Sequence, residues 1–238
     1  MLTMALCLLL IHYVKYASTF QQTLYWFSQW HTGSSEFFNA LRGDKWFALY
    51  TQAWWTAWHL VGYVLIPWCV IRWVLKENLC EFGIGFGDTR RYIPYYIALA
   101  TPIVFFAFLV SFREDFANHY PFYRLASRSI VDLVLWEMLY IAQFIALEFF
   151  FRGFVLHAWK PSIGAGAIFV MCVPYLMIHF PNPWLEATGA IPFGILLGVL
   201  ALRSRSIWGG AGVHVTIALS MDILALMQSG KFPVRWLP

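Results

Sequence analysis

Long apolar runs separated by short polar connectors dominate this chain. A membrane-spanning helix needs about 20 mostly apolar residues, because each adds about 1.5 Å against a hydrocarbon core of about 30 Å. On that measure the pattern predicts spanning helices over roughly 2–16, 50–75, 92–112, 129–157, 162–180, 188–203 and 207–228. The first and sixth are short for a full crossing. The stretch 17–45 mixes Trp, Tyr and Phe with Ser and Gln, which suits a segment lying in the membrane interface. Two connectors are wet, KENLCEFGIGFGDTRR over 76–91 and REDFANHYPFYRLASR over 113–128. Gly83, Gly85 and Gly87 in the first follow no strand, so they read as a helix-entry turn rather than a phosphate cradle. No internal repeat, low-complexity tract or second domain is visible. The expected fold is all-α: a single integral-membrane domain over 1–238, a polytopic transmembrane bundle of about seven to eight helices with a polar intramembrane cavity.

Composition supports lipid as the solvent. The 238 residues are 61% hydrophobic and only 12% charged, where a soluble domain carries about 25% charged residues. The formal charge is +4 and its Lys and Arg are scattered, which speaks against a nucleic-acid surface. Cys7, Cys69, Cys80 and Cys172 form no CxxC pair and no Cys/His metal spacing. The apolar start MLTMALCLLLIHYV lacks a basic leader and a small-residue cleavage site, so it reads as a retained helix rather than a signal peptide. Lys and Arg divide eight against eight between the two sides of a seven-span chain, so the positive-inside rule returns no majority. The group Arg72, Lys76, Arg90, Arg91, Arg152, Lys160, Arg203 and Arg205 lies nearer short loops and is assigned to the cytoplasm.

The informative residues are the ionisable ones inside the spans, because such groups are costly there and usually face a polar interior. Glu137, Glu148 and Arg152 fall within about 60° of one another on the fourth span at 100° per residue, and so share a stripe. Tyr175 and His179 sit one turn apart in PYLMIHF, and His214 and Asp222 lie on the last span. Glu186 stands at the mouth of the sixth, in HFPNPWLEATG. Each has a plainer reading. Glu148 and Arg152 form an i,i+4 pair that neutralises itself, His179 is an interfacial histidine beside Pro181 and Pro183, His214 packs in the core, and Asp222 caps or pairs locally. His12, His31, His59, His119 and His157 belong to no constellation and read as structural or interfacial. As a set the residues say more: a carboxylate, an arginine and two histidines on three spans are the equipment to activate water and to hold a developing oxyanion.

Three segments, ALEFFFRGF, PYLMIHF and LALRSRSIWGGAGVHVTIAL, resemble the signature motifs of the CPBP (CAAX protease and bacteriocin-processing, or Abi) family of intramembrane endopeptidases. The resemblance covers roughly 85–228, a CPBP-like catalytic core, and is strongest over 143–222. The family's first motif is two adjacent glutamates, three residues and an arginine; matching Arg152 places Glu148 on the second glutamate and Leu147 on the first. Tyr175 and His179 match an aromatic, three residues and a histidine. His214 matches the third-motif histidine, while Ala218 stands where asparagine is usual.

The resemblance implies an intramembrane protease whose motif-one glutamate and motif-two histidine activate water, with the third-motif residues holding the oxyanion. Leu147 cannot act as a base. The base is then Glu148 after a small rotation, or a substitute carboxylate, Glu186 or Asp222, or catalysis is lost. Carried over, Glu148, Arg152, His179 and His214 form the expected catalytic set, with Tyr175, Glu186 and Asp222 accessory. Glu148 activates water with His179, Arg152 balances its charge, and His214 stabilises the oxyanion. No cofactor is expected. The alternative is zinc on Glu148, His179 and His214, although no HExxH motif is present. The implied substrate is a membrane-associated protein or peptide, the other partner is the bilayer, and the short chain resembles bacterial members, which points to the inner membrane. The competing reading is a catalytically inactive scaffold or an immunity or partner-binding protein, favoured by Leu147 and Ala218. A transporter would show inverted repeats, which the chain lacks.

Overall fold

The computed structural model describes residues 1–238, and its regular structure is all helical. Five helical stretches are long and apolar enough to cross a membrane, or six if the bent pair Leu2–Val14 and Ala17–Thr32 counts as one span. The seven sequence-predicted spans all overlap these stretches, but their bounds differ. Two of them merge in Ile130–Met177, whose 48 residues are far too long for one crossing. The chain divides into two compact units, the first comprising Met1–Gly62, Val104–Gln143 and Ile217–Pro238, the second Tyr63–Ile103 and Phe144–Thr216.

In the first unit, α1 (Leu2–Val14) turns by 74° into α2 (Ala17–Thr32) at Tyr16, whose backbone is extended. The run expected to be interfacial is therefore mostly helical, as α2 and α3 (Glu36–Arg42), and it leaves Trp26 and Trp30 exposed. The Trp54 indole, on α4 (Phe47–Leu75), donates to the Val14 carbonyl at 2.8 Å and so satisfies one acceptor at the end of α1. After α5 (Thr89–Val110) and the short α6 (Glu114–His119), Phe116 and Tyr120 pack against Ala225 on the last helix. The helix α7 (Ile130–Glu148) begins with a capping arrangement in which Ser129 Oγ accepts from the Asp132 N–H at 3.0 Å.

In the second unit α7 passes without a break into a π-helical stretch, Phe149–Val155, and then α8 (Leu156–Ile163). Arg152 and Tyr175 are 23 positions apart and would be about 35 Å apart on one straight helix. The Arg152 guanidinium nevertheless lies 4.1 Å from the centre of the Tyr175 ring, so the chain doubles back between them. The reversal falls at Gly164, which has φ 57°, after Pro161. The returning helix α9 (Ala167–Met177) has only 11 residues, shorter than the sequence suggested and about half a bilayer core in length. Conversely α10 (Trp184–Ser204) has 21 residues, enough to span. Small residues let α9 and α10 close up: a Cβ at Gly198 would meet Ile168 and Met171 at 3.1 Å. Leu156, Ala167, Ile168 and Ala201 form the core there. The glycine-rich connector docks on the turn between α10 and α11 (Trp208–Gln228). Gly87 has φ 44°, and a Cβ on it would lie 2.3 Å from the Ser204 carbonyl, so its role is close backbone packing.

Candidate active site

The second unit gathers Glu148, Arg152, Tyr175, His179 and His214. Glu148 and Arg152 are fully buried, and Oε1 of Glu148 lies 2.9 Å from Arg152 Nη1 and 2.8 Å from His214 Nδ1. These contacts are close, but their angles are not those of hydrogen bonds. Both Glu148 oxygens, the three Arg152 side-chain nitrogens and His214 Nδ1 are buried without a hydrogen-bond partner. They therefore attract one another as an ion-pair cluster while keeping their directional capacity unspent. Buried polar groups are nearly always satisfied, so six such atoms in one place single this cluster out as the candidate site of the second unit.

The π-helical turn explains part of this placement. Shifting the backbone bonds from i+4 to i+5 leaves carbonyls underused. His157 Nδ1 supplies a donor to the Arg152 and Gly153 carbonyls, at 2.9 and 3.0 Å. Thus the structural reading of His157 gains a specific task. Gly210, on α11, makes room for the carboxylate: a Cβ there would lie 2.2 Å from Glu148 Oε2.

His214 is fixed on every side. Phe144 stacks on its ring at 5.4 Å and 13°, Phe193 meets it edge-on at 5.0 Å, and the Tyr175 hydroxyl lies 3.0 Å from Nε2. Its Nε2 therefore faces the Tyr175 hydroxyl and its Nδ1 faces the Glu148 carboxylate. An oxyanion held by His214, the role the family resemblance implied, would take the place of the Tyr175 hydroxyl at Nε2. Tyr175 itself is fully buried beneath the Arg152 guanidinium, and a Cβ at Gly194 would meet its ring at 2.9 Å.

His179 stands just past the end of α9, part-buried, with its ring 4.6 Å from that of Tyr175. Its Nδ1 donates to the Tyr175 carbonyl at 2.7 Å, so the Nε2 lone pair is the reactive face. Burial pushes its pKa down to about 4, the backbone bond opposes that shift, and His214 and Arg152 add to it. His179 is therefore neutral near pH 7, with Nε2 able to accept a hydrogen bond.

The two substitute carboxylates have other partners. Glu186 accepts from Asn182 Nδ2 at 2.6 Å in the turn leading into α10. Asp222 belongs to the first unit, where its Oδ2 accepts from the Trp136 indole at 2.7 Å. Glu137, on the sequence stripe of Glu148, also belongs to the first unit. Leu147 and Ala218 are buried as apolar residues. The residues do not fit zinc. Arg152 faces the Glu148 oxygen that a metal would need, His214 Nε2 is taken by the Tyr175 hydroxyl, and no three His, Cys, Asp or Glu side chains are grouped to hold an ion. Sequence reasoning missed Gly210, Phe144 and Phe193; the adjacent Gly209 and Gly210 inside a spanning helix were the available signal.

Membrane-length apolar helices bearing a buried carboxylate, guanidinium and imidazole cluster define an integral membrane protein of the polytopic helical class. Residues 129–220 match the family model described as type II CAAX prenyl endopeptidase Rce1-like, in agreement with the family read from the three motifs. The matched stretch contains Glu148, Arg152, Tyr175, His179 and His214, and at family level it supports an intramembrane CAAX-type endopeptidase. No curated protein and no solved structure matches the chain.

Proposed function

We propose that this protein is a metal-free intramembrane endopeptidase, which hydrolyses a peptide bond in a membrane-associated protein or peptide with Glu148 as the base. The observation that carries this reading is the Glu148 carboxylate, fully buried between Arg152 and His214 with both oxygens unspent. Glu148 takes a proton from water as the water oxygen bonds to the scissile carbonyl carbon, and His179 Nε2 orients that water. The carbonyl becomes an oxyanion. The C–N bond then breaks, and the proton on Glu148 passes to the leaving amine. Arg152 keeps the ground-state carboxylate charged in a poorly solvated place. The Tyr175 hydroxyl, held at His214 Nε2, is the nearest neutral donor for the oxyanion once it turns from the imidazole.

The test is cleavage of membrane substrates in liposomes, beginning with a lipidated C-terminal peptide. Loss of one acid–base group typically costs about 10²–10⁴-fold in rate. Wild-type-like cleavage by both Glu148→Gln and His179→Ala would sink the assignment. Buried Leu147 and Ala218, at positions where the family carries polar side chains, favour the second reading, a non-catalytic membrane scaffold or immunity or partner-binding protein. That protein would keep its cellular function in Glu148→Gln at matched membrane abundance.

A further inference from the structure

A pocket of about 290 Å³ in the first unit is lined by Ser127, Arg128, Lys231, Phe232, Val234 and Arg235. Its walls lie at the ends of two spanning helices, just before Ile130 opens α7 and just after Gln228 closes α11. Helices that span a bilayer end at the level of its headgroups, and the pocket sits at such ends. The three cations are not equivalent. Arg128 is committed: its Nε and Nη2 donate to Asp132 at 2.8 and 2.7 Å, and its Nη1 donates to the Lys45 carbonyl at 2.6 Å. Lys231 and Arg235 are exposed and have no acidic partner within ion-pair distance. The pocket thus carries a local charge of two, unbalanced.

The backbone holds these two cations in place. α11 ends in a paired-bond turn in which Gly230, at φ 64°, donates to the Met227 carbonyl at 3.1 Å, and Lys231 donates to Leu226 at 3.0 Å. Four residues on, the Arg235 and Trp236 carbonyls accept from the Ile130 and Val131 N–H groups, at 2.8 and 3.2 Å. The tail therefore satisfies two of the orphan donors that open α7, and it is pinned at both ends of the pocket. Between and beyond the cations, Phe232, Val234, Trp236 and Leu237 are exposed. Alternating cations and exposed apolar side chains at this depth suit a ligand with a negative head and greasy tails.

We infer that this pocket binds the phosphate-bearing headgroup of an anionic phospholipid, with Lys231 and Arg235 as the phosphate ligands and the apolar tail residues against its acyl chains. The inference does not rest on the proposed protease activity. The experiment uses the full-length protein in nanodiscs containing equal phosphatidylglycerol and phosphatidylcholine. The protein is released into detergent, and the lipid that stays bound is counted by native mass spectrometry. Phosphatidylglycerol is expected to be retained in preference. Lys231→Ala/Arg235→Ala is expected to lower that preference by roughly tenfold or more, and Lys231→Arg/Arg235→Lys to keep it. Melting in phosphatidylcholine should not change, because neither side chain is buried or paired. Each single substitution gives the same reading at smaller amplitude if the double variant accumulates poorly. Equal retention of the two lipids by the wild type, or an unchanged preference in the double variant, overturns the inference. Release of bound phosphatidylglycerol by millimolar inorganic phosphate would assign the pocket to a soluble anion and overturn it as a lipid site.

Discussion

The Tyr175 hydroxyl and His214 Nε2 lie 3.0 Å apart, joining the helix that returns after the Gly164 reversal to the last helix of the chain. Glu148 stands at the other nitrogen of the same imidazole. A carboxylate, an imidazole and a phenol are thereby connected in series. A Phe at position 175 would preserve the ring beneath Arg152 and remove only the hydroxyl. Tyr175→Phe is expected to slow turnover about 10²–10³-fold, the cost of losing one oxyanion donor, while leaving KM unchanged. Nitrogen NMR of labelled histidine supplies a readout independent of substrate: the single His214 tautomer of the wild type should become a mixture. An unchanged spectrum would show that the hydroxyl does not hold the imidazole.

Gly210 offers a cleaner steric probe. Its Cβ would sit 2.2 Å from Glu148 Oε2, so Gly210→Ala must displace the carboxylate. Ala is the better helix former by about 1 kcal/mol, so the loss should not come from the helix itself. Cleavage is expected to fall about a hundredfold, at near-normal membrane abundance. Gly212 on the same helix is the control. A Cβ added there would have nothing within 4 Å, so Gly212→Ala should behave as wild type. Equal activity in the two variants would mean that the carboxylate position does not matter.

Arg152 and Glu148 should be coupled in stability. Removing one member of a buried ion pair leaves the other uncompensated and typically costs about 3–5 kcal/mol. Arg152→Met should therefore lower the melting temperature in detergent sharply. Adding Glu148→Gln removes the stranded charge and should restore part of the loss, although activity stays absent. Additive effects in this cycle would show that the 2.9 Å contact carries no coupling energy.

His179 sets a pH window. Its pKa in the folded protein is about 4, against about 6.5 in an unfolded chain. The folded state therefore binds the proton less readily. Its contribution to stability is fully present above about pH 6.5 and is lost as pH falls toward 4, by at most about 3–4 kcal/mol. Melting of the wild type at pH 7 and pH 4.5 should show this loss, and His179→Gln should reduce it. A profile that His179→Gln leaves unmoved would assign the acid sensitivity to other groups.

The apolar run lengths determined that this chain is helical and membrane-embedded, because backbone groups in lipid have to be satisfied within each segment. Charge placed inside those runs was legible for the same reason: Glu148, Arg152, His179 and His214 stand out against their neighbours, and the motif spacing grouped them before any geometry was known. The carboxylate pairing was also legible, since Glu148 and Arg152 are local in sequence. What the sequence left open depended on contacts between distant segments. The extents of α9 and α10 were misjudged because hydropathy reports where apolar residues occur and not where Pro161 and Gly164 turn the chain. The pairing of Asp222 with Trp136, 86 positions away, could not be read from the sequence. Nor did the sequence mark the contact of Glu186 with its neighbour Asn182. The contact of Tyr175 with His214, the room made by Gly210 and the pinning of the tail to Ile130 and Val131 all arise between elements far apart in the chain. One sequence constrains such pairings weakly, because many packings bury the same apolar faces, and only the folded chain selects among them.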